Sequence, residues 1–141
     1  MEFAMVMPLL LLLLFGVIEF AWLFTQNLDV RHGAREAARL IAVNYPDGPV
    51  FPAPSPTDAT QTDEIVAEVC SRMTSARDVR ITLQSSGGVG DPAVAEVFAD
   101  AYSLTNFFDW AIPEDMVLSS RVEIRVEQPA GWASVTEQPC P

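Results

Sequence analysis

The chain has 141 residues, half of them apolar, and a mean hydropathy of +0.22, which excludes a disordered or collagen-like protein. It carries 19 acidic residues against 8 basic ones, all Arg, for a formal net charge of −11, and this balance argues against nucleic-acid binding, because attraction to phosphates needs a basic face. Residues 1–45 hold four acids and three Arg (net −1), whereas residues 46–141 hold fifteen acids and five Arg (net −10), so an apolar front precedes a well-solvated acidic body.

Phe3 to Phe24 is a run of 22 residues with one charge, Glu19. At ~1.5 Å per residue it spans ~33 Å, a match to a ~30 Å hydrocarbon core. Phe20, Trp22 and Phe24 cluster at its far end, where an interfacial aromatic belt sits. The stretch is too long for a cleaved secretory signal and lacks a small-x-small site near its end, so a transmembrane helix over about residues 3–24 is expected. Pro8, in its second turn, removes a backbone hydrogen bond that neighbouring helices in a bilayer can offset. A carboxylate at the depth of Glu19 needs a partner or a route to the interface; snorkelling and pairing with a cation on a neighbouring subunit are the two alternatives. For Glu2, already at the edge of the span, simple solvation is the alternative to a functional role.

Read literally, the positive-inside rule puts the acidic body in the cytoplasm, since Arg31, Arg35 and Arg39 follow the span and only Met1-Glu2 precede it. Two features oppose this. Two cysteines in so small a chain indicate an oxidising compartment, and the abrupt start suggests a basic leader upstream.

The helical pattern continues from Thr25 to Asn44, with Leu28, Ala34, Ala38 and Ile41 among its apolar and small positions. Arg31, Arg35 and Arg39 recur at i, i+4 and i+8 and form one basic stripe. Asn44-Tyr45-Pro46-Asp47-Gly48-Pro49 then stops the helix. One helix of ~42 residues and ~63 Å results, a spine for a small head or for packing into a bundle.

Three blocks of this front segment carry a resemblance. Glu2-Phe3-Ala4-Met5-Val6-Met7-Pro8-Leu9-Leu10-Leu11, Gly16-Val17-Ile18-Glu19-Phe20 and Ala34-Arg35-Glu36-Ala37-Ala38-Arg39 resemble the TadE-like family, minor pilins (pseudopilins) of the tight-adherence, or Flp, pilus machinery. The likeness covers about the first 43 residues. Beyond Tyr45 it reduces to Val117–Glu127, which is similar to a late strand of that family. The resemblance implies a prepilin-type leader cut by a prepilin peptidase on the cytoplasmic face. It places a single-pass chain in the bacterial inner membrane with its head outside, and in the extracellular pilus once assembled. It also implies that Glu2 engages the terminal amine of a neighbouring subunit during assembly, although Glu2 stands nearly first here and the family's glutamate lies several residues after the cut. The implied partners are other pilins and minor pilins, met through the N-terminal helix, and the lipid bilayer.

Four prolines between Pro49 and Pro56 give an extended linker over residues 46–57, and residues 58–141 form the head. A helix is expected to start with Thr60 as N-cap and Asp63 three residues on, burying Ile65, Val66, Val69, Cys70 and Met73. Val79, Ile81 and Leu83 alternate with Arg80, Thr82 and Gln84 as a half-buried strand, and a flexible turn spans Ser85 to Gly90. Asp91-Pro92 reads as a helix start, with Val94, Val97, Phe98 and Tyr102 on one face. Phe107, Phe108 and Trp110 are aromatic candidates for the core. Leu118 to Gln128 is the second strand, Val122, Ile124 and Val126 inward. If the two strands pair, Arg80 opposes Glu123 or Glu127.

Cys70 and Cys140 match no zinc or redox spacing. A disulfide between them would close a ~70-residue loop and stabilise by ~4 kcal/mol in the chain-entropy model; the compartment argued above favours it over two buried thiols. No G-x-S-x-G, H-E-x-x-H, G-x-x-x-x-G-K-[ST] or C-x-x-C occurs, and the single His32 lies on the spine. Asp63-Glu64 and Glu114-Asp115 resemble neither an EF-hand nor a facing carboxylate pair and read as solvated charge. The expectation is an α+β protein: a long pilin-like helix, then a small α/β head with a short antiparallel sheet. It is expected to be non-enzymatic, with no cofactor and no metal. Its function is then that of a structural minor pilin whose helix, through Glu2, Pro8, Glu19, Arg31, Arg35 and Arg39, packs into an initiation or tip complex. The alternative is a permanently anchored periplasmic binding module gripping a partner with Phe107, Phe108 and Trp110.

Overall fold

The computed structural model describes residues 2–45, 61–85, 88–106, 109–113 and 115–141, without the side chains of Glu2, Ala4 and Ala111. The expected linker over 46–57, the Thr60 N-cap, Phe107, Phe108 and Glu114 lie outside the described residues. The chain forms α1 (Glu2–Ala42), α2 (Gln61–Arg72), β1 (Arg77–Ser85), β2 (Pro92–Asp100), a 3-10 turn (Asp109–Ala111), β3 (Val117–Arg125) and β4 (Val135–Pro139). The sheet is four-stranded and antiparallel throughout, in the order β3-β2-β1-β4. The architecture is α+β, a long apolar helix followed by a small head, as the sequence indicates.

The helix α1 runs unbroken for 41 residues, through Pro8. It ends where Asn44 turns to a left-handed backbone (φ 56°) and the Tyr45 N–H bonds the Leu40 carbonyl at 3.0 Å, a common helix stop because asparagine tolerates that region. The Asn44 Oδ1 atom then accepts from Gln61 Nε2 (2.9 Å) and the Gly131 N–H (2.8 Å), tying the top of the spine to α2 and to the tail.

The core gathers residues whose spacing matches each element's period. The inward stripe of α1 is Val30, Ala34, Ala37, Ala38 and Ile41; α2 adds Ile65, Val66 and Val69; β1 adds Val79, Ile81 and Leu83. Across the β1/β2 pair Ile81 faces Val97 and Leu83 faces Ala95. The C-terminal half of α1 lies across β2 and β3, and the small Ala93, Ala95 and Ala99 of β2, all fully buried, leave room for it. At Gly33 α1 passes close to Met73, the residue after α2: a Cβ at Gly33 would lie 2.5 Å from Met73 Sδ.

Three expectations are corrected. Residues 92–100 are a strand, not a helix beginning at Asp91-Pro92. Their buried positions fall at 93, 95, 97 and 99, period two, which no helix can place on one face. Pro92 sits at the first strand position, where its missing N–H is tolerated, after a turn in which Gly90 takes φ 86° and Asp91 bonds Gly88 and Val126. Because β2 is a strand, it separates β1 from β3, so Arg80 cannot meet Glu123 or Glu127. It pairs instead with Asp100 (2.8 Å) and Glu137 (3.8 Å). Finally, the tail forms a strand, β4, whose Glu137 N–H bonds the buried Thr82 Oγ1 at 2.9 Å; Thr82 was expected to face outward.

Candidate functional site: an exposed helix clasped to its head

One helix has two environments. From Phe3 to Ile18 its large side chains, the half-buried Phe15 apart, are exposed: Phe3 76%, Leu9 71%, Leu13 65% and Val17 60%. From Glu19 onward one face is buried in the head. A helix apolar on every side and left uncovered is a surface for lipid or for other helices, and α1 is long and apolar enough to cross a membrane.

The boundary is drawn by Glu19. It is buried, and its carboxylate accepts four hydrogen bonds from one loop of the head: from Ser103 Oγ (2.9 Å), the Leu104 N–H (3.1 Å), the Thr105 N–H (2.8 Å) and Thr105 Oγ1. The chain meets this carboxylate with its own loop. Burying a carboxylate is tolerable when its lone pairs are filled in this way.

Further polar contacts climb the helix above it. The Gln26 side chain, fully buried, donates to the Tyr102 carbonyl (2.8 Å) and accepts the Tyr102 N–H (3.2 Å). Asp29 Oδ2 accepts the Ser75 N–H at 2.8 Å. Glu36 and Glu68 share Arg72, bridging α1 and α2, and this holds the Arg72 guanidinium above its ordinary pKa, first through its hydrogen bond with Glu68 and then through the charge of Glu36. Trp132 Nε1 donates to the Ile41 carbonyl at 3.2 Å. The aromatic ring of Tyr102 packs edge-on against Trp22 (centroids 5.7 Å apart) and carries the Arg77 guanidinium 4.0 Å above its centroid.

Of the residues singled out from the sequence, Pro8 is exposed on the apolar half and the backbone of Glu2 starts α1. Arg31, Arg35 and Arg39 stay exposed along one side of the buried half, a cationic stripe on a strongly acidic protein. Glu19 is not near that stripe's chemistry; it belongs to the clasp. Cys70 and Cys140 are disulfide-bonded with Cα atoms 5.7 Å apart, pinning the tail to α2, where Gln138 also bonds Asp63 at 2.6 Å. Trp110, expected in the core, is 83% exposed. The sequence reading missed Gln26, Asp29 and the Ser103–Thr105 loop; the available signal was that Glu19 and Gln26 lie seven residues apart, on one face of an otherwise apolar helix.

Among the described residues no group of His, Cys, Asp and Glu is placed to hold a metal ion. The family model for TadE-like protein matches residues 1–39, nearly the whole of α1, from its bare half through Glu19 and Gln26 to the last Arg of the basic stripe. No curated protein and no solved structure matches the chain.

Proposed function

We propose that this chain, whose first 39 residues carry the TadE-like signature, is a non-enzymatic structural subunit of a tight-adherence pilus, a minor pilin. The exposed half of α1 anchors it in the bacterial inner membrane with the head on the outer side, and packs sideways against the helices of other pilins in an initiation or tip complex. One observation carries this reading: a single helix is bare and apolar over residues 3–18 and embedded in a folded head beyond Glu19. A protein that only needed tethering has no use for 24 further residues of the same helix welded rigidly into its core. A subunit that must transmit lateral docking of the helix to a head does.

The Arg31/Arg35/Arg39 stripe extends the docking face beyond the apolar part, where acidic bodies of sibling subunits supply the opposite charge. Glu2, at the start of the helix, is the group proposed to engage a neighbour's terminal amine, since pairing relieves a carboxylate placed against lipid. Glu2→Ala is expected to leave membrane insertion intact and to lower pilus output; undiminished piliation in that strain refutes the role. The fixed binding module is favoured only by the exposure of Trp110. Mass spectrometry of the mature protein separates the two readings, because a leader-cleaved N-terminus belongs to the pilin and an uncleaved basic one to the module.

A further inference from the structure

Glu19 fixes how far down the helix the head reaches. From Phe3 to Glu19 the helix rises about 24 Å, which is about 6 Å short of a ~30 Å hydrocarbon core. The loop bonded to that carboxylate, Ser103 to Thr105, therefore lies no farther out than the boundary between acyl chains and headgroups when α1 spans a bilayer. The chemistry of this end of the head agrees. Its exposed large apolar side chains are Leu104 (50%), Trp110 (83%), Met116 (38%) and Val117 (46%). They lie at one end of the head: the Ala101 N–H bonds the Met116 carbonyl at 2.9 Å and brings the start of β3 against the root of the loop, and Asp109 and Ile112, on either side of Trp110 in the chain, line one cleft with Tyr102, Ser103 and Asn106. At the opposite end of the sheet the exposed large apolar side chains of the described turns are two valines, Val89 (61%) and Val43 (40%), with no exposed aromatic beside them. On the helix itself Phe20 (72%) and Phe24 (56%) are exposed at the same level.

We propose that this end of the head is a membrane foot: Leu104, Trp110, Met116 and Val117 sit in the interfacial zone of the same bilayer that α1 crosses, on the head's side. The proposal rests on the reading of α1 as a membrane span. Continuity with α1 and the shortfall in helix length select lipid as the occupant. Tryptophan is the side chain most at home there, apolar with one polar edge. The foot stops at the interface because Asp109 and Asp115, both exposed, lie in the same segment and require water. Arg77, held over Tyr102 at the level of Trp22 to Gln26, falls among the headgroups, where a cation meets lipid phosphate. The Glu19 clasp then has a second purpose. It fixes the foot's height on the spine, and with it the tilt of the head over the membrane.

The test places a nitroxide on a single introduced cysteine in the full chain, native disulfide intact by peptide mapping, in phosphatidylcholine nanodiscs. Leu12→Cys, Trp110→Cys and Val89→Cys are compared for collision with oxygen, which concentrates in lipid, and with a water-soluble nickel chelate. The expected order is Leu12 deep in lipid, Trp110 at the interface with the chelate excluded several-fold relative to Val89, and Val89 fully aqueous. A Trp110 label as aqueous as Val89, beside a lipid-buried Leu12, overturns the foot and leaves the patch to a protein partner. An aqueous Leu12 overturns the anchor reading itself. In the unlabelled protein, brominated phosphatidylcholine is expected to quench tryptophan emission less in Trp110→Phe than in the wild type; an unchanged quenched fraction contradicts the foot.

Discussion

Replacing Glu19 by alanine asks how much of the head's grip on the spine runs through one carboxylate. Four donors face it, three of them within 2.8–3.1 Å. Hydrogen bonds to an ionised acceptor contribute about 1.5–3 kcal/mol each. Leu104 and Thr105 are exposed on the head and sit at the interface, where headgroup water takes up part of what the loop loses, and the net cost is expected at about 2–4 kcal/mol rather than the full sum. At about 1.4 kcal/mol per factor of ten, loop opening becomes about 30-fold to 1,000-fold more frequent. Because the loop lies outside the sheet, this cost is local. Hydrogen exchange in nanodiscs reads it directly: the Leu104 and Thr105 amides are expected to exchange at least about 30-fold faster, while those of Ile81 and Leu83 keep their rates. Glu19→Gln is expected to fall between. Its remaining oxygen can keep Ser103 and Thr105, which all meet Oε1, but its NH2 group faces the Leu104 N–H donor to donor. Unaltered exchange at Leu104 and Thr105 in Glu19→Ala would show that the loop is held by something else and that the clasp is not one.

Three further outcomes test the fold around that clasp. Removing the disulfide with Cys70→Ser and Cys140→Ser frees a loop spanning 70 residues and is expected to lower the stability of the head by about 4 kcal/mol. That is a fall in Tm of roughly 15 °C by calorimetry, whereas an unchanged Tm would mean that β4 pairing alone holds the tail. Ile81→Ala empties a fully buried position opposite Val97, and a loss of about 2–5 kcal/mol is expected from the urea midpoint. Ala95→Leu forces a larger side chain into the fully buried face of β2 that α1 crosses; a loss of about 1–3 kcal/mol is expected in the same assay, and no loss would mean that the helix does not rest there.

What the sequence made legible follows from where the physics is local. The extent of α1 and its stop at Asn44 come from a single uninterrupted period and a sharp composition change. The faces of α2, β1 and β3 come from alternations that burial alone enforces. The stretch 92–100 was misread because Asp-Pro is a strong local helix signal, and three alanines and one valine at period two (Ala93, Ala95, Val97, Ala99) are a weak strand signal until α1 is laid on them. β4 was invisible because Val135–Pro139 is polar, contains a proline and has no alternation strong enough to announce a strand; an edge beside β1 is what makes it one. The role of Glu19 was only half legible. That a carboxylate in an apolar helix needs partners is a statement about the residue, but Ser103 and Thr105 lie more than eighty residues away, and only the fold delivers them.

The bare half of α1 is proposed to dock sideways against other pilin helices. Photo-crosslinking from a reactive residue at Leu13, 65% exposed in this chain, tests it in cells that are assembling pili. The account predicts adducts whose added mass maps to the N-terminal helix of another pilin-type subunit, and their loss when assembly is blocked. Adducts to lipid alone, from a strain with normal fibres, would contradict it.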